Sequence, residues 1–174
     1  MTIRHSLAKD IDAVNNTYTE LLLHEQQTGK STTNWVLNVY PTRSTAEKAH
    51  LTNTLIVLEE AGEIRASMVL NQYQADVYKE IPWEYPAVED KVLVLHTLCI
   101  PPAHAGKGYG TAMVQYALHA AKAKNCSVLR LDTYAGNSPA ASLYKKLGFR
   151  YAGIRQTLHE GVIPEELIFF EKEI

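Results

Sequence analysis

The feature that most constrains this chain is the run Val92–Ile100, apolar except for His96 and Thr97. A run this short and this apolar reads as a central strand covered on both faces, because a strand with one wet face would alternate. Pro101-Pro102 stops it, and Gly106, Gly108 and Gly110 follow at once. Gly110–Lys124 then takes up a helical period in which Gln115, His119 and Lys122 mark the wet face. Strand, glycine turn and helix in that order call for a sheet with helices packed on it, so an α/β fold is expected.

The flanking segments supply the rest of the sheet. Ile11, Val14, Tyr18, Leu21 and Leu22 recur at helical spacing after a short extended start, Thr2–His5, and predict a helix over residues 8–26 with Asp10 at its positive end. Leu55–Leu58 and Ile64–Leu70 read as an antiparallel hairpin turning at Ala61-Gly62. Val128–Thr133 is a further strand. Ser138 as N-cap, Pro139 after it, Lys145 and Lys146 in the last turn and Gly148 past the end bound a short helix. Strands near Arg150–Gln156 and Glu166–Lys172 complete a mixed, largely antiparallel sheet with helices on both faces.

Two stretches are less regular. Gly29–Asn53 looks like loop at Gly29, Ser31, Thr32 and Thr33 but moderately helical over Thr42–His50, and is expected to cross the mouth of a site. Residues 75–90 mix prolines, carboxylates and aromatics without a period and read as a long ordered loop.

A chain of 174 residues suits one domain, with a core large enough to need neither disulfides nor a metal. The formal charge of −2 comes with no basic stripe, so nucleic acid is not an expected partner. Cys99 and Cys126 each lie beside an apolar run, form no C-x-x-C pair and read as reduced core thiols. The start, Met1-Thr2-Ile3-Arg4-His5, turns polar at once, and no segment approaches the ~18 apolar residues of a membrane span. A soluble, cytoplasmic protein without a membrane partner is expected.

The glycines between strand and helix leave backbone N–H groups unobstructed at a helix amino terminus, where a diphosphate finds donors and the positive end of the dipole. A glycine triplet alone serves equally well as a tight turn. A second signal follows in Asn137-Ser-Pro-Ala140-Ala-Ser-Leu-Tyr144-Lys-Lys-Leu-Gly148-Phe149. Together, G-K-G-Y-G-T and N-x-x-A-x-x-x-Y-x-x-x-G-F, each after a strand, resemble the GNAT N-acetyltransferase superfamily over Val92 to Phe149.

The resemblance implies one GNAT domain over residues 1–174, in which two central parallel strands splay to admit acetyl-CoA. It implies that the amides of Ala105, Gly106, Lys107, Gly108, Tyr109, Gly110 and Thr111 hold the pyrophosphate. The backbone of Leu98, Cys99 and Ile100 would pair with the pantetheine, with Asn137, Ala140 and Tyr144 along the same arm. Tyr144 is then the general acid toward the leaving thiolate. One position departs from the pattern: Ala105 stands where the family usually has Arg or Gln, leaving His104 or Lys107 as partial substitutes.

The implied chemistry asks for a base, because an alkylammonium is almost wholly protonated at pH 7, a barrier of about 4 kcal/mol. His96 is the candidate, at a spacing from Gly108 similar to that of the strand histidine in the aralkylamine branch of the superfamily. The alternative is a core histidine bonded to backbone. Asp132 and Glu84 are second choices. Trp35, Tyr40, Tyr78, Trp83 and Tyr85 either line the acceptor pocket or anchor long loops to the core. Asp76, Glu80, Glu84, Glu89 and Asp90 would either attract a cationic acceptor or merely solvate their loop. The expected activity is transfer of an acetyl group from acetyl-CoA to the primary amine of a small molecule by direct attack in a ternary complex, without a metal. A peptide or protein amine as acceptor, a CoA-binding module without turnover, and a GNAT-shaped scaffold are the alternatives; both a monomer and a homodimer fit.

Overall fold

In the computed structural model, which describes residues 1–159 and 161–174, the described strands are β1 (Thr2–His5), β2 (Leu55–Glu60), β3 (Glu63–Asn71), β4 (Val92–Cys99), β5 (Val128–Tyr134), β6 (Arg150–His159) and β7 (Ile163–Glu173). Their order in the sheet is β1-β2-β3-β4-β5-β7-β6. Helices α1 (Ile11–Thr28), α2 (Arg43–Leu51), α3 (Tyr109–Ala123) and α4 (Ser138–Lys146) flank it. The β4–β5 pairing is parallel, while β1–β2, β2–β3, β5–β7 and β6–β7 are antiparallel. This is the mixed, largely antiparallel α/β arrangement that the sequence predicts.

The residues sort into two compact units: Met1–Ser31, Trp35–Leu70 and Thr97–Tyr116 in the first, and Thr32–Asn34, Asn71–His96 and Ala117–Ile174 in the second. In the first unit α1 buries Ile11, Val14, Tyr18 and Leu22, the stripe visible in the sequence, and its core is shared by Leu55, Val57 and Cys99. A 3-10 turn, Ala8–Asp10, precedes α1, and Asp10 accepts both the Leu7 amide at 2.7 Å and the Arg4 guanidinium at 2.6 Å. Helix α1 therefore starts three residues later than its apolar period suggests. It ends at Gly29 in the left-handed conformation, φ 66°. The β2–β3 hairpin turns at Ala61 and Gly62, φ 53° and 80°, the two successive positive values that suit a tight hairpin.

The second unit is built on β4, β5 and β7. Val92–Leu95 are all buried, so the expectation of a strand covered on both faces holds for that half of β4; His96, Thr97 and Leu98 are only partly buried. The parallel register runs from Val92↔Val128 to Leu95↔Leu131 and stops there. Two residues later Thr97 has φ 50°, an unusual value for a β-branched residue and a marker of local strain. Its hydroxyl is 2.5 Å from the Tyr40 hydroxyl.

Residues 75–90 carry more structure than a loop. Asp76–Glu80 is a 3-10 helix, and Glu89 begins another that ends at Lys91. Both lack the length at which a hydrophobic period becomes legible. Strands β6 and β7 likewise run longer than expected, because backbone pairing continues through a stretch of mixed polarity from Gln156↔Glu166 to His159↔Ile163.

Candidate active site

The glycine loop that the sequence singles out lies in the first unit. After β4 a 3-10 turn, Pro102–His104, leads into Gly106 and Gly108 at φ 74° and 84°, values that L-residues other than glycine rarely adopt. A Cβ added at either would meet nothing within 4 Å. The loop thus presents bare backbone to open space, the cradle that an oxyanion needs. Helix α3 begins at Tyr109, so the first amides of α3, including those of Gly110 and Thr111, have no carbonyl partner within the helix.

Side chains hold this loop in place. Tyr109 is 7% exposed, donates its hydroxyl proton to Glu60 Oε2 at 2.5 Å and packs edge-on against His104. Arg65 donates from Nη1 to His104 Nε2 at 3.1 Å. His104 is therefore occupied as a buttress and lines a cleft of about 400 Å³ with Asp10, Glu20, Glu63 and Arg65, rather than standing in for the side chain missing at Ala105. Lys107 is exposed. Cys99 has its thiol in the core, where burial pushes its pKa up to about 12, so only its backbone is available to a ligand.

The proton-transfer candidates lie together in the second unit. His96 Nε2 is 3.2 Å from Asn71 Oδ1 and 3.2 Å from the Tyr73 carbonyl oxygen. Burial lowers the His96 pKa, against the Asp132 carboxylate and the Tyr73 carbonyl, which favour the charged ring. Tyr78 donates to Asp132 Oδ1 at 2.5 Å, and burial raises the Asp132 pKa against this bond. Tyr144 is 3% exposed, with its ring packed on Phe149 and Phe170. Burial first, then the Asp132 charge, raises its pKa, so the phenol keeps its proton. Asp132 thus acts electrostatically on both His96 and Tyr144.

Asn137, not Ser138, caps α4: its Oδ1 accepts from the amide of Ala140 at 3.1 Å. The cap lies one residue earlier than the sequence suggests, because the Asn137 side chain reaches the third helical amide, that of Ala140.

The Acetyltransferase (GNAT) family model matches residues 18–149. The chain belongs to this family. A streptothricin acetyltransferase from Streptomyces lavendulae is 29% identical over 73 residues, covering 42% of this chain and 39% of that relative's length. An acetyltransferase of the GNAT family from Streptococcus agalactiae superposes with a TM-score of 0.82 at 21% identity, covering 99% of this chain and 95% of that one. An acetyltransferase from Salmonella typhimurium, solved with its cofactor acetyl-CoA, does so at 0.71 and 17% identity, covering 99% and 92%.

Within this GNAT chain several other sequence candidates resolve into supports. Glu84 is ion-paired with Arg150 at 2.5 Å, which disfavours it as a base. Asp76 pairs with Lys79 and Glu80 lies 3.7 Å from Arg155, so three of the five loop carboxylates face a cation and their pull on a charged acceptor is reduced. Tyr78, Trp83 and Tyr85 pack against the core of the second unit as anchors. Trp35 packs on the first unit's core and meets Tyr40 edge-on at 5.9 Å. Asn71 and Tyr73 beside His96, and the Tyr78–Asp132 bond, are contacts of the candidate residues that no motif announces. The one available signal is that Asn71 closes the apolar run of β3 with an amide.

Proposed function

We propose that this chain transfers the acetyl group of acetyl-CoA to the primary amine of a small molecule, with His96 as general base and Tyr144 as general acid. The observation that carries the reading is the open backbone loop at Gly106 and Gly108 running into the amino terminus of α3. Family membership supports the same reading. The Ala105 amide is taken by the Pro102 carbonyl at 3.1 Å, so the amides from Gly106 to Thr111 are the ones that suit a diphosphate, and the backbone of Leu98–Ile100, beyond the end of the β4–β5 register, suits the amide groups of a pantetheine arm. Bound there, acetyl-CoA supplies the activated acyl group as a thioester.

The chain's own groups supply the proton transfers. A partly buried, neutral imidazole accepts the amine proton near neutral pH, and a buried phenol retains a proton for the leaving sulfur. Asp132, held by Tyr78, favours the imidazolium that forms at His96.

The test is thiol release from acetyl-CoA across amino acids, polyamines, arylalkylamines, aminoglycosides and streptothricin, the last taken from the relative's name. Saturable, enzyme-dependent release with an acetylated primary nitrogen in the product is expected. Binding of acetyl-CoA with no turnover on any amine, or acetylation of peptides alone, would overturn the small-amine reading.

A further inference from the structure

We propose that Asn71 is a positioning residue that fixes the tautomer of His96, with the proton on Nε2 and the lone pair on Nδ1. The proposal rests on His96 as the base and adds which nitrogen acts and what selects it.

Asn71 Oδ1 accepts a hydrogen bond from the Tyr73 amide at 2.9 Å, an Asx turn across the end of β3. That bond settles the amide's orientation, since the flipped side chain would set its NH2 against the Tyr73 N–H, donor against donor. The same Oδ1 is 3.2 Å from His96 Nε2, and the Tyr73 carbonyl oxygen is also 3.2 Å from it. Both neighbours of Nε2 are therefore acceptors. A lone pair on Nε2 would face two oxygens, so Nε2 carries the proton in the neutral ring and Nδ1 carries the lone pair.

Asn71 acts twice in this arrangement. It is one of the two acceptors, and its Asx turn holds the backbone that presents the other. The groups bearing on the ring are the Asp132 carboxylate on β5, His159 on β6 and the Tyr73 side chain, whose ring centroid lies 6.3 Å from that of His96. Asp132 favours the imidazolium and His159 opposes it.

The test is a histidine-ring 15N–1H correlation spectrum of the intact protein, assigned with His96→Gln, together with kcat, KM and pH profiles. In wild type at alkaline pH, His96 should show a protonated Nε2 and an unprotonated Nδ1. Asn71→Ala should mix the tautomers and lower kcat by ~10-fold or more, short of the loss in His96→Gln, with KM for acetyl-CoA unchanged. Asn71→Asp should keep the Nε2–H tautomer and move the acid limb of kcat/KM to higher pH, because a carboxylate there favours the charged ring. A wild-type Nδ1–H tautomer overturns the proposal, as does a folded Asn71→Ala with wild-type spectrum and kcat. If His96→Gln keeps full kcat, the base reading fails and this one with it. If His96→Gln is inactive while both Asn71 variants match wild type, only the role of Asn71 fails.

Discussion

At His96 two influences oppose each other: burial disfavours the imidazolium, Asp132 favours it, and burial prevails, placing the pKa below its ordinary 6.5. Only the neutral ring accepts a proton. Lowering the pKa therefore extends the active form to lower pH, and kcat/KM should rise to a plateau through a midpoint below 6.5. Asp132→Asn should move that midpoint lower still, and His96→Gln should remove the rise; a wild-type midpoint above 6.5 would assign the base to another group. Tyr144→Phe should keep acetyl-CoA affinity and reduce turnover by ~10²-fold when chemistry is rate-limiting, whereas an unchanged kcat would leave Tyr144 as packing for Phe149 and Phe170. Both residues are legible in the sequence, one as a polar interruption of an apolar run and the other within a motif. Asn71 is not, because its role depends on an Asx turn and on a contact with a residue 25 positions away.

Among the elements, those with local signals follow the sequence closely. The Ala61-Gly62 hairpin, the stripe of α1 and the end of α4 at Gly148 each rest on neighbouring residues or a period. The 75–90 segment is the opposite case, being held by distant partners. Arg130 donates to the Tyr85 carbonyl 45 residues away and stacks 4.2 Å over Trp83. Glu171, fully buried on β7, accepts from the Glu84 amide, 87 residues away, and from the Tyr85 amide, while Arg150 pairs with it at 3.0 Å. No pattern within the segment announces such anchors. Glu171→Ala strips two backbone amides and a guanidinium of their acceptor and should destabilise the fold by about 3 kcal/mol in denaturant unfolding. Glu171→Gln, whose amide oxygen still accepts, should cost less. Equal losses in the two variants would mean that packing, not the acceptor role, holds the segment.

For the molecule as a whole, fold and family were legible because two motifs and the strand between them are contiguous and obey simple rules of turn and helix chemistry. The acceptor was not, since the aromatics that looked available for it fold back onto their own core and most of the loop carboxylates find cations within the chain. Among the described residues no helix is long and apolar enough to cross a membrane. Thermal unfolding with and without acetyl-CoA, in wild type and Gly108→Val, tests most directly the proposal that the Gly106–Thr111 loop holds acetyl-CoA. Free ligand at a hundredfold over its dissociation constant should stabilise the wild type by about 2.7 kcal/mol. A folded Gly108→Val should lose most of that gain, because its side chain would enter the open space above the loop and strain the positive φ. No shift in wild type at millimolar acetyl-CoA, or equal shifts in both proteins, would contradict the account.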